Sequence, residues 1–191
     1  MIRVLIIDDH HAMRRGLENV LSETPDLVPV ATGSAEGDLW HLLKRTAPDV
    51  VLLDYHLPGQ DGLMLCHRIK SLTLAPRVII YSAYADESLE IAATVAGADG
   101  VLNKNAPANE LFAALRGGPG DEPAIPAPRA EALSAAARKL DDGERPLLGM
   151  LMQRTPLPDV ADALGLPLDE AASRVRGVIG RLRVRVPAGA E

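Results

Sequence analysis

Five polar residues stand out because each comes at or just after the end of a short apolar run. Asp8 and Asp9 follow VLII, Asp54 follows VVLL, Ser82 follows VIIY, and Lys104 lies just beyond Val101–Leu102. Three carboxylates brought into one cleft repel one another, and a divalent cation relieves that repulsion. All-oxygen ligands with room for water suit Mg2+ better than a soft metal. A lysine beside that cation and a hydroxyl across from it make an anion site of phosphate size. The neighbouring His10, His11 and His56 are read as loop residues rather than as ring ligands.

These groups meet only if the apolar runs are strands of one sheet. Val4–Ile7, Val28–Ala31, Val50–Leu53, Val78–Tyr81 and Val101–Leu102 alternate with stretches of helical spacing, such as Met13, Leu17, Val20 and Leu21. Strands apolar on both faces belong in a buried parallel sheet. The expected fold class is therefore α/β, a doubly wound (βα)5 domain. In such sheets ligands sit at the carboxyl ends of the strands, where the strand order reverses.

Residues 1–116 resemble the receiver domain of two-component response regulators. VLIIDDHHAMRRGL is similar to the start of the subfamily with a LuxR-type (NarL/FixJ-type) output. PDVVLLDYHLPGQDGL, VIIYSAYAD and GADGVLNKNAP are similar to the phosphoacceptor strand, the fourth strand and the lysine loop. The resemblance implies that Asp54 is the phosphoacceptor, taking its phosphoryl group from a sensor histidine kinase. It implies Mg2+ held by Asp8, Asp9, Asp54 and the backbone carbonyl of His56, with Asp9 the more direct of the first pair. Ser82 would donate to the phosphoryl oxygen and Lys104 would pair with it. Val101 stands where the resemblance implies a switching aromatic. Valine has no ring to bury or expose, so switching falls to Ser82, the loop after it, or Tyr81 and Tyr84.

Gly117–Pro128, with four prolines and three glycines, reads as a tether. The expected division is a receiver over 1–118, a linker over 119–128, and a small all-α helix-turn-helix domain over 129–191. Residues 140–185 resemble the LuxR-type output, with helices expected near 142–152, 157–164 and 169–184. SRVRGVIGRLR is also similar to the last helix of sigma-factor region 4. Arg174, Arg176, Arg181, Arg183 and Arg185, with no acid between them, read as a stripe for DNA phosphates. Arg154 replaces an expected glycine, Pro167 a usual serine cap, and Glu170–Ala171 a usual Thr-Val. Little chain follows Arg185 for the family's dimerisation helix, and Arg129–Leu140 is a replacement on the other side.

Composition sets the outer bounds. The net charge is −6, yet residues 1–118 carry net −5 and residues 129–191 net +1, which leaves room for a nucleic-acid partner. One cysteine, Cys66, excludes an internal disulfide and fits a reduced, cytoplasmic compartment. No apolar run approaches the length of a membrane span. The expected function is a phosphorylation-controlled transcription regulator, not an enzyme, that binds a sensor kinase and DNA. RNA polymerase, another regulator or a second copy of the chain are further partners. The alternative is a phospho-controlled module whose C-terminal part binds protein. A phosphatase working through an aspartyl intermediate is disfavoured because His56 stands where a second acid is usual.

Overall fold

The computed structural model describes residues 1–34, 36–117 and 125–183. Strands β1 (Ile2–Ile7), β2 (Leu27–Gly33), β3 (Val50–Asp54), β6 (Arg77–Ser82) and β7 (Gly100–Asn103) form a parallel sheet in the order β2-β1-β3-β6-β7. The chain runs outward from β1 to β2, then returns to start again at β3. That reversal opens the crevice between the carboxyl ends of β1 and β3. Two short strands missing from the sequence reading, β4 (His56–Leu57) and β5 (Gln60–Asp61), make an antiparallel hairpin beside this crevice.

Strand side chains alternate between the two faces. Leu5, Ile7, Val51, Leu53, Val78 and Ile80 face α2 (Glu36–Thr46), α3 (Gly62–Lys70) and α4 (Glu87–Ala96). Val4, Ile6, Val50, Leu52 and Ile79 face α1 (His11–Ser22) and α5 (Ala108–Arg116). Cys66 of α3 is fully buried, with its thiol against the Ala96 carbonyl oxygen of α4, and burial pushes that thiol far above its ordinary pKa.

The C-terminal helices are α6 (Ala130–Ala137), α7 (Arg145–Met152), α8 (Leu157–Leu164) and α9 (Leu168–Leu182). Helix α7 starts later than expected. Pro146 fits a first helical turn, and Asp141 and Glu144 bond reciprocally through side chain and backbone N–H just before it. Gly165, at φ 63°, closes α8 in the left-handed conformation and leads into α9. Helix α9 buries Ala171, Val175, Val178, Ile179 and Leu182, a single helical face.

That face packs on α4 and α3, and α6 and α7 also touch α4. Helix α4 is accordingly apolar nearly all round, with Leu89, Ile91, Ala92, Ala93, Thr94, Val95 and Ala96 all buried. The core under the sheet continues through it into the C-terminal helices. Polar contacts line the rim of this junction. Arg129 forks onto Glu87, with Nε and Nη2 at 2.9 and 2.6 Å from Oε2. Arg154 adopts a left-handed φ of 56° in the α7–α8 turn, and its guanidinium donates to the Ala98 carbonyl at 3.1 Å. This explains an arginine in a turn where glycine is expected.

Candidate functional site

Asp8, Asp9, Asp54, Ser82 and Lys104 all gather at the carboxyl edge of the sheet. The Lys104 ammonium sits between two buried carboxylates, 2.7 Å from Asp8 Oδ2 and 2.8 Å from Asp54 Oδ2. The other oxygens of Asp8 and Asp54 accept from the backbone N–H of His10 and His56, at 2.8 and 3.1 Å. Asp54 thus points toward Lys104 and is enclosed by polar groups. Burial pushes its carboxyl from the ordinary 3.8 up to about 6, against the pull of Lys104. For Lys104, burial favours the neutral form, but its bonds to Asp54 and Asp8 outweigh that and raise its pKa.

Asp9 Oδ1 is buried and accepts no hydrogen bond, although His10 Nδ1 lies 2.7 Å away. A buried carboxylate oxygen without a donor is costly unless a cation meets it. Asp8, Asp9, His10 and Asp54 each offer a ligand atom, all within 4.8 Å of one another. The three carboxylates of this group fit a hard divalent cation, which takes oxygen ligands. His10, in the loop before α1, brings its ring beside this cluster.

Ser82 is buried at its strand end, but its hydroxyl is engaged within its own loop. It accepts from Tyr84 N–H at 3.1 Å and bonds the Tyr84 carbonyl at 3.4 Å. The Tyr81 phenol donates to the Lys104 carbonyl at 3.3 Å, tying that loop to β6. Val101 is half-buried and packs against the core on the α4 side of the sheet.

Two neighbours had no assigned role in the sequence reading. Asp61 caps α3 by accepting from Leu63 N–H at 2.8 Å and pairs with Arg183 at the end of α9. Gly62 donates to the Tyr55 carbonyl at 3.0 Å, and a Cβ there would lie 2.4 Å from the Asp54 carbonyl oxygen. Backbone cannot yield that far. Gly62→Ala is expected to displace the end of β3, costing about 2–4 kcal/mol in denaturant unfolding and more than tenfold in labelling of Asp54 by a small phosphodonor.

Three of the five arginines expected to meet DNA phosphates are paired with acids. Arg174 pairs with Glu170 at 2.6 Å, Arg181 with Asp141 and Glu144 at 3.1 and 2.8 Å, and Arg183 with Asp61. Arg176 lies close enough to His67 of α3 to lower its pKa, after the larger effect of burial. Arg185 lies outside the described residues. Acids distant in sequence, together with Glu170 one turn away, supply the partners.

Fold and site together define a receiver-type domain with appended helices. The family model of the response regulator receiver domain matches residues 4–116, and the chain belongs to the response regulators. It is 30% identical to the DNA-binding transcriptional activator DevR/DosR of Mycobacterium tuberculosis, over 97% of this chain and 88% of that one. It is 25% identical to the nitrate/nitrite response regulator NarL of Escherichia coli, over 95% and 89%. Among solved structures it is similar to the receiver domain of a putative NarL from Mycobacterium tuberculosis (30% identity, 61% of this chain and 98% of that one, TM-score 0.56). RcsB of Salmonella enterica serovar Typhimurium, solved bound to a promoter with BeF3−, shares the fold over 97% and 94% of the two chains (20% identity, TM-score 0.57). Among the described residues no helix is long and apolar enough to cross a membrane.

Proposed function

We propose that this chain is a transcription regulator in which phosphorylation of Asp54 controls DNA binding by the C-terminal helices. The single observation that carries the reading is the Lys104 ammonium bridging Asp8 and Asp54, beside the buried Asp9 oxygen. The proposed division is a receiver over 1–118, a linker over 119–128 and an output domain over 129–191. The protein acts in the cytoplasm with a sensor histidine kinase as donor.

Asp8, Asp9, Asp54 and the His56 carbonyl would hold Mg2+, which when bound offsets phosphoryl charge. An Asp54 oxygen attacks phosphorus, the bond to the kinase histidine nitrogen breaks, and that nitrogen keeps the electron pair. Lys104 stays as counter-ion to the new phosphoryl oxygens. Ser82 must turn from Tyr84 to donate to them. Positioning and charge neutralisation are what such a transfer needs from the protein.

DNA binding is supported by the named activity of DevR/DosR and by the basic residues of α9. In the arrangement described, α9 lies on the receiver and Arg174, Arg181 and Arg183 are paired with acids, so DNA must compete for those three. Mobility shifts with promoter DNA across a salt series test this. Phosphorylated protein should bind more tightly than Asp54→Asn, with affinity falling steeply as salt rises. Arg174→Ala with Arg181→Ala should flatten the log–log slope by about 0.9 per lost phosphate contact. No shift even at low salt overturns the DNA reading and leaves a protein partner.

A further inference from the structure

We propose that the Arg183–Asp61 pair is the element through which the phosphoacceptor site positions the output helix, in place of the absent aromatic switch. The inference rests on the phosphoacceptor reading of Asp54.

Asp61 stands opposite His56 across the β4–β5 hairpin. The His56 N–H donates to Asp54 Oδ1. Asp61 caps α3 with one oxygen and pairs with Arg183 through the other, and its side chain is only 8% exposed. One rung of a two-stranded ribbon therefore separates the Asp54 carboxylate from Arg183, the residue that follows α9. A cavity of about 240 Å3 beside the hairpin, lined by Tyr55, His56, Gly59, Gln60, Asp61 and Arg183, gives the ribbon room to shift. Gly59, at φ 72°, supplies a turn with open space around it.

A phosphoryl group on Asp54 changes what the His56 N–H faces. The hairpin moves, and Asp61 moves with it. The guanidinium of Arg183 then has to leave its partner or carry α9 along. An Arg183 fork held by Asp61 is also unavailable to a DNA phosphate, so closure and DNA contact exclude one another at this residue. Arg129–Glu87 and Arg154–Ala98 hold the same junction without touching the hairpin.

Hydrogen exchange of α9 amides in the full chain, with and without Mg2+ and beryllofluoride, separates a coupling element from simple adhesion. Wild type should exchange faster over α9 when beryllofluoride is added. Arg183→Gln and Asp61→Asn should start about fivefold faster and gain little more. Asparagine keeps an oxygen for the Leu63 N–H, so the α3 cap survives. Arg129→Gln should raise the baseline yet keep the response. A full response in Arg183→Gln, or an equal loss in Arg129→Gln, overturns the proposal. Beryllofluoride bound at Asp54 with α9 exchange unchanged overturns the coupling alone. Failure of wild type to bind it overturns the phosphoacceptor reading and the coupling with it.

Discussion

Asp54→Asn is expected to reduce labelling by a small phosphodonor to background and, in the same protein, to raise stability at neutral pH. The first effect follows from replacing the carboxylate proposed to attack phosphorus by an amide. The second follows from the environment of Asp54, where burial holds the carboxyl at about 6 rather than 3.8. A carboxyl raised on folding binds its proton more tightly in the native state. Its favourable contribution is complete below 3.8 and is lost as pH rises through about 6. Above that pH the metal-free chain therefore carries a penalty on the order of 3 kcal/mol, which asparagine removes. Thermal melts at pH 5 and pH 7.5 in chelator should show wild type losing stability at the higher pH and the variant changing less. A variant that still labels at the wild-type level would remove Asp54 from the role assigned to it. Equal pH slopes would show that its carboxyl is not held up by burial.

Lys104→Met should have the opposite sign. Methionine matches the aliphatic stem of lysine but leaves Asp8 and Asp54, 1% and 2% exposed, without their shared counter-ion. Breaking a buried ion pair from one side costs about 3–5 kcal/mol. Urea unfolding at pH 7.5 in chelator should report a loss of that order. Mg2+ should restore more stability to the variant than it adds to wild type, because in the variant the cation has two unneutralised carboxylates to meet. Equal gains would mean that Lys104 and the cation do not share the same charge. Labelling of Asp54 should fall as well, since the new phosphoryl oxygens lose their partner.

The site was legible because chemistry and fold share one signal. An apolar run that ends abruptly in Asp, Ser or a nearby Lys marks a buried strand and the group it delivers, and parallel strands deliver to the same edge. The reciprocal Asp141–Glu144 bond and the early start of α9 at Leu168 were beyond periodicity, which places helix ends poorly. Asp61 and Arg183 were beyond it for another reason. Each reads as an ordinary polar residue, and their meeting depends on how α9 lies against α3, which no local pattern encodes. The pairing of the arginines near the end of α9 is beyond it on the same ground: Asp141, Glu144 and Asp61 lie far off in the chain and reach them across space. Helix α4 did carry a hint in the run IAATVA that ends it, apolar but for Thr94, which is what a helix covered on both sides requires.

That covered helix gives the junction a thermal character. The grip between sheet and output helices is mainly oil against oil, with charged contacts only at its rim. Separating such surfaces raises the heat capacity, so the balance between joined and parted forms bends with temperature. The attraction fades in the cold, and a chain that must be prised apart by a signal in warmth needs less prising when chilled.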